Sequence, residues 1–204
     1  MRSLVLASVA LSACAEPRII DVYAGASDMT VLDADFIGNC ARPPALGECV
    51  ETSDVGECTI ASNAGTRWVR YGDVAATFDA SRRAYLPVAP DGRELELRRG
   101  LEVAHVRIPS VTLAAPEVTA TYRGNVHATW APVAGATSYQ VDSEGGFVGI
   151  SCHVPADVTE FDVASSLQIS VTAFALESET TTPVGTVRVW ATTASNAVTP
   201  MGER

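Results

Sequence analysis

The chain has 204 residues, 47% of them hydrophobic, with 24 acidic and 14 basic side chains and a formal net charge of −10. All 14 basic residues are arginine, a bias that a GC-rich coding sequence produces without functional selection. Such an acidic chain lacks the basic footprint that phosphate backbones demand, which argues against nucleic acid as a partner and against lying flat on anionic headgroups.

In chain order the first element is a leader. Met1 and Arg2 precede an eight-residue apolar run, Leu4 to Leu11, interrupted only by Ser8. A helix rises about 1.5 Å per residue and must cross roughly 30 Å of hydrocarbon, so this run is far too short to span a bilayer. A charged start, a short apolar region and small residues at its end predict a secretory signal peptide. The residues that close it, Leu11-Ser12-Ala13-Cys14, resemble the lipobox of bacterial lipoproteins. That resemblance implies that residues 1–13 are removed, that the Cys14 thiol carries a diacylglycerol, and that its freed amine is acylated, typically with palmitate. Residues 14–18 then form the lipidated cysteine and a short tether. Ala15, where an aspartate is absent, leans the family's sorting towards the outer membrane of a Gram-negative cell. Two or three acyl chains hold a protein firmly, since each buried methylene contributes about 0.8 kcal/mol and one chain alone is marginal. The competing reading is an ordinary signal peptide cut near Ala13 or Ala15, with Cys14 lost or joined in a disulfide.

Assigning Cys14 to the lipid leaves Cys40, Cys49, Cys58 and Cys152 as disulfide candidates in an oxidising compartment. Three connectivities are open to four cysteines. If all four pair, one bridge must link Cys152 to the first half of the chain; otherwise Cys152 is a buried free thiol.

No stretch carries a 3.6-residue stripe, while β-branched and aromatic runs recur between turn signals, so the chain is predicted to be all-β. In a first domain, residues 19–109, strands are expected at Ile19–Tyr23, Met29–Phe36, Cys49–Thr52, Cys58–Ala61, Trp68–Tyr71, Ala75–Phe78, Ala84–Val88, Glu94–Arg98 and Val103–Ile108. Pro43-Pro44, Ala64-Gly65, Gly72-Asp73 and Pro90-Asp91-Gly92 punctuate them. Strict alternation in Glu94-Leu95-Glu96-Leu97-Arg98 puts both leucines on one face and the charges on the other. With Gly47-Glu48-Cys49-Val50, then Cys58 and Asn63-Ala64-Gly65-Thr66, this half resembles uncharacterised bacterial lipoproteins, a likeness that brings no activity.

Residues 110–116, flanked by Pro109 and ending at Pro116, read as a linker. Beyond it, Thr129-Trp130-Ala131-Pro132-Val133-Ala134-Gly135-Ala136-Thr137-Ser138-Tyr139-Gln140-Val141 resembles the second and third strands of a fibronectin type III domain, and Leu167–Ala173 and Val187–Ala191 resemble its last two. The resemblance implies an immunoglobulin-like sandwich over residues 117–199, with a tail at 200–204. Trp130, Tyr139, Val141, Leu167, Ile169, Val171, Val187 and Val189 are the expected core. The family's tyrosine in the penultimate strand is missing, and Cys152 is not a family feature.

Signals for chemistry are few. Cys152-His153 offers a thiol beside an imidazole, but neighbours on a strand point to opposite faces, so a structural cysteine beside a solvated histidine is expected. His105, His127 and His153 are not spaced as metal ligands. Asp33 and Asp35 with Asp28, and Asp142 with Glu144, offer oxygens to a cation and read as solvated acids. No nucleophile elbow, phosphate-cradling loop or zinc-protease motif occurs, although paired carboxylates brought together by folding leave no spacing to find. Trp68, Tyr71 and Phe78 read as core side chains rather than a sugar-stacking platform. Trp190 shares its side of a strand with Arg188 and Thr186, which makes it the candidate partner-binding aromatic.

These readings predict two β-sandwich domains in a lipid-anchored envelope protein, without cofactor, metal or catalytic residues. Its partners would be the membrane, through the anchor, and an envelope protein or polysaccharide. The alternatives are a small envelope hydrolase using carboxylates, and a carbohydrate-binding lipoprotein.

Overall fold

The computed structural model describes residues 19–25, 29–33, 44–51, 67–71, 74–75, 77–79, 84–86, 94–108, 110, 112–145, 148–164 and 166–202. Cys14, Cys40, Cys58, Asp28 and Asp35 lie outside them, as does the expected strand at Cys58–Ala61.

Among the described residues every regular element is a strand. The first half supplies β1 (Ile19–Ala24), β2 (Met29–Asp33), β3 (Cys49–Glu51), β4 (Arg67–Tyr71), β5 (Val74–Ala75), β6 (Thr77–Asp79), β7 (Ala84–Leu86), β8 (Glu94–Arg99) and β9 (Glu102–Arg107). The second supplies β10 (Val118–Tyr122), β11 (Val126–Trp130), β12 (Ser138–Gly145), β13 (Val148–Pro155), β14 (Glu160–Val163), β15 (Gln168–Thr182), β16 (Gly185–Ala194) and β17 (Met201–Gly202). They form one nine-stranded sheet, β3-β13-β12-β15-β16-β1-β2-β7-β6, and two four-stranded sheets, β14-β11-β10-β17 and β5-β4-β8-β9.

The long sheet draws strands from both sides of residues 110–116. β1 pairs in parallel with β16, Ile20 opposite Val187 and Tyr23 opposite Trp190. At its far edge β3 pairs antiparallel with β13, and Cys49 stands directly opposite Cys152. Strand alternation then decides which side chains meet. Ile20, Val22 and Ala24 of β1 and Val187 and Val189 of β16 share one face and pack with Leu95 and Leu97 of β8 and Val106 of β9. Here the expected alternation of β8 is realised, since both leucines are buried and Glu94 and Arg98 are exposed. Tyr139 and Val141 of β12, Cys152 of β13 and Ile169, Val171 and Ala173 of β15 pack with Val126, Ala128 and Trp130 of β11. Ala175 opposite Ala191 continues the same side of the β15–β16 ladder, so both cores lie on one face of the nine-stranded sheet. Each four-stranded sheet covers part of that face, which makes two sandwich layers on a shared sheet.

The turn between β11 and β12 carries much of the local order. Gly135 takes a φ of 86°, which glycine reaches without steric cost. The Val133 N–H donates to the Tyr139 hydroxyl at 2.8 Å, satisfying the polar end of a ring whose body is buried. Trp130 meets that ring edge-on, with centroids 5.5 Å apart. Five of the eight expected core residues, Trp130, Tyr139, Val141, Ile169 and Val171, are buried in the second core; Val187 and Val189 are buried in the first one, beside β1 and packed with Leu95, Leu97 and Val106, and Leu167 is 65% exposed. Its N–H bonds to the Glu144 carbonyl at 2.6 Å in the loop before β15, so it stands outside the strand alternation that buries Ile169 and Val171.

Candidate functional site

The face of the nine-stranded sheet opposite the cores carries the odd residues of β1 and the even residues of β16. Ile19, Asp21 and Tyr23 stand there beside Arg188 and Trp190, and Phe174 of β15 and His153 of β13 point to the same side. Pro44, Ala45 and Leu46, just ahead of β3, form the opposite rim. Together they enclose a recess of about 360 Å³, within the range of small-ligand sites.

Its floor is a buried ion pair. The Asp21 side chain is 2% exposed and that of Arg188 26% exposed. Arg188 Nε donates to Asp21 Oδ1 at 2.7 Å and Nη2 to Oδ2 at 2.9 Å, the two-point fork that suits a planar guanidinium. Trp190 Nε1 adds a third bond to Oδ1 at 3.0 Å. Burial works against the Arg188 cation, but the hydrogen bond to Asp21 and the charges of Asp21, Tyr23 and Glu179 together outweigh it, so the guanidinium pKa is raised. The Arg188 guanidinium carbon lies 5.8 Å from the centre of the Trp190 ring, and Tyr23 lies near-parallel to Trp190 with centroids 6.5 Å apart. Phe174 meets Tyr23 edge-on at 5.9 Å. Trp190, the expected partner-binding aromatic, thus lines the recess half-buried, its ring N–H held by Asp21.

His153 fastens the rim. A carbonyl only accepts, so Nδ1 carries the proton and donates to the Pro44 oxygen at 3.0 Å, while Nε2 accepts from the Ser138 hydroxyl at 2.7 Å. Two backbone bonds reinforce this: Gly47 N–H donates to the His153 carbonyl at 2.7 Å, and His153 N–H to the Glu48 carbonyl at 3.0 Å. A disulfide between Cys49 and Cys152, 103 residues apart, completes the attachment. The ordering of hydroxyl, imidazole and carbonyl has the form of a nucleophile, base and orienting group. Ser138 is nevertheless buried and does not line the recess, so here it fixes the imidazole rather than offering a reactive oxygen.

Burial pushes the His153 pKa below 6.5, opposed only partly by the bond to Pro44. The folded chain therefore holds a neutral imidazole where the unfolded chain is protonated, and this group's contribution to stability declines as pH falls from about 6.5 towards the folded pKa. We expect urea unfolding of the parent chain to weaken more steeply between about pH 7 and pH 5 than that of His153→Gln. Equal slopes would remove His153 as the titrating group.

The other candidates fall elsewhere. Cys152 is buried in the second core and His153 faces the other way, as strand alternation requires, but His153 is half-buried and bonded at both nitrogens rather than solvated. The disulfide links the two halves, one of the outcomes left open by the cysteine count. His105 is exposed and pairs with Glu94 at 2.6 Å; His127 pairs with Asp162 at 2.8 Å. Asp142 accepts from Gln140 at 2.9 Å, and Glu144 is exposed. Among the described residues no cluster of three or more potential metal ligands forms. Side chains of Asp33, Trp68, Tyr71 and Phe78 lie outside the described set, although their strands are placed. A wider hollow of about 520 Å³ beside His105, Arg107 and Glu177 has mostly polar and charged walls, with no Phe, Tyr or Trp among the described residues that line it.

No known protein-family model matches the chain, and no curated protein matches it in sequence. Asp21, Tyr23, Ser138, Phe174 and Arg188 were not singled out as site residues by sequence. The only signal was complementary charge on the polar faces of two alternating strands, Ile19–Ala24 and Thr186–Ala191, far apart in the chain.

Proposed function

We propose that the chain is a non-enzymatic binding module of the bacterial cell envelope, held at the outer membrane by lipid on Cys14, and that the recess between β1, β16 and the Pro44–Leu46 rim is where it takes its partner. The observation that carries the binding role is the aromatic recess with a fixed guanidinium on the face of the long sheet opposite the cores. Trp, Tyr and Arg are the residues enriched where binding energy concentrates, and clefts lined by aromatic rings with a few placed polar groups are the usual form of a ligand site. The strand order β14-β11-β10 facing β13-β12-β15, with Trp130 packed on Tyr139, supports reading residues 117–199 as fibronectin type III-like. The anchor is supported by the lipobox residues alone, Leu11-Ser12-Ala13-Cys14.

Two measurements test this. Cys14→Ser should move the protein from the membrane fraction to the soluble one or stop its processing, and an unchanged membrane fraction refutes lipidation. Pull-down with the native, membrane-attached protein should recover an envelope component that the paired replacement Asp21→Leu with Arg188→Met does not. Recovery of nothing, together with turnover of an envelope polymer by the purified protein, would falsify the binding role in favour of a hydrolase.

A further inference from the structure

We infer that β9 is a docking edge, along which an extended segment of another polypeptide lies as an added strand in the hollow between β9 and β15. This site is separate from the recess, which lies on the opposite face of the long sheet, and does not depend on it.

The direction of the β9 backbone groups follows from its hairpin. Two residues, Gly100 and Leu101, join β8 to β9, and Arg99 stands opposite Glu102. Gly100 takes a φ of 59°, as the first position of a tight two-residue turn requires. The pair that closes such a turn exchanges backbone bonds, and bonded pairs then recur at every second residue. Glu102, Ala104 and Val106 therefore direct their N–H and C=O groups to β8, while those of Val103, His105 and Arg107 point away from it. Among the described residues these three make no backbone bond to a further element.

Their open side gives onto the hollow of about 520 Å³, which His105, Val106 and Arg107 line from β9 and Glu177, Ser178 and Thr180 line from β15. Ser178 and Thr180 stand opposite Val189 and Val187, on the core side of the long sheet, yet both are exposed. Charged side chains can block a sheet edge. Here Glu94, on β8, bonds the His105 ring at 2.6 Å and draws it away from the open backbone row.

That row selects its occupant. Val103, His105 and Arg107 offer three N–H donors and three C=O acceptors over four strand steps, about 14 Å. An extended polypeptide carries the same groups at the same repeat, and neither a sugar nor an acyl chain does. Side chains of the added strand alternate, one set beside Ala104 and Val106 towards the floor of Ser178 and Thr180, the other beside His105 and Arg107 in solvent. β15 is a poorer template, because a bulge between Leu176 and Ser178 breaks its ladder. A second copy presenting its own β9 would bring the sandwich behind that strand, with its own β15 wall, into the same hollow. A free extended segment of a different protein meets no such obstacle.

The test is hydrogen exchange followed by NMR on the labelled full chain, with N-acetyl-Thr-Val-Thr-Val-Thr-amide as the probe. Without peptide the Val103, His105 and Arg107 amides should exchange freely, while β8 protects those of Ala104 and Val106. Saturating peptide should slow the first three about tenfold or more. N-methylation of the three threonines removes the donors that face β9 and should abolish the effect; N-methylation of the two valines, whose N–H groups face away, should not. His105→Pro removes an N–H that β8 does not use, and Thr180→Arg fills the hollow from an exposed position. Each should weaken peptide binding about tenfold, with Ala104 and Val106 still protected as the sign of an intact fold. Val103, His105 and Arg107 amides already protected in the free chain would mean that the edge is covered from within or, where protection rises with protein concentration, by a second copy; either overturns the inference. Protection gained at Glu179 and Thr181 instead places the strand on β15 and overturns it too, as does no change at millimolar peptide.

Discussion

Replacing Cys49 and Cys152 together by serine lowers the unfolding free energy by about 4 kcal/mol and the melting temperature by roughly 10 °C. The bond closes a loop of 103 residues, and a loop of that length restricts the unfolded chain strongly in the chain-entropy account. Its position adds a local effect. β3 is an edge strand of three exposed residues, Cys49, Val50 and Glu51, so little burial holds it to β13 once the sulfurs are separated. The residues just ahead of it, Pro44 to Leu46, form the rim of the recess. The double variant should therefore lose recovery of its partner by pull-down as well as stability. Urea unfolding of oxidised parent and variant checks the stability, and the pull-down checks the recovery. A stability loss below about 1 kcal/mol would mean that the unfolded chain is already compact across this loop.

Asp21→Ala is the second large effect, with a loss of about 3 kcal/mol expected from removing one partner of a buried pair. The carboxylate accepts two bonds from Arg188 and one from Trp190, and without it the Arg188 cation and the Trp190 N–H are both left without this acceptor in a largely desolvated place. Because Arg188 keeps 26% of its side chain exposed, water relieves part of the penalty, which sets the figure near the lower end for such pairs. The paired replacement Asp21→Leu with Arg188→Met should recover most of the loss, since apolar groups of similar size leave nothing uncompensated. Urea unfolding of the two single variants and the double one gives the coupling. If the double variant is less stable than either single one, the pair does not act as a unit and this account of the floor is wrong.

Strand positions were legible where alternation is strict. Leu95 and Leu97 point inward and Glu94 and Arg98 outward, because each local choice agrees with burial on one face. Trp130, Pro132, Gly135 and Tyr139 marked a turn whose geometry is set within a dozen residues. Pairing partners were not legible. β1 lies beside β16 some 167 residues away, and nothing in Ile19–Ala24 specifies which strand lies beside it. For the same reason nothing in Ile19–Ala24 marks Asp21 as buried, since its neighbours Ile20 and Val22 claim the inner face. Its burial follows from Arg188, Trp190 and the Pro44–Leu46 rim arriving on the outer face. Leu167 was misplaced because periodicity extends a strand by one residue as readily as it ends it, and the loop bond to Glu144 decided the matter.

Ile19, the first residue of β1, lines the recess itself. With lipid on Cys14, only residues 15–18 intervene, and the five steps from Cys14 to Ile19 reach at most about 18 Å even when fully stretched. The mouth of the hollow would then sit within a headgroup layer or two of the bilayer, so that whatever enters it must come from other membrane-bound molecules or from chains that graze the lipid surface.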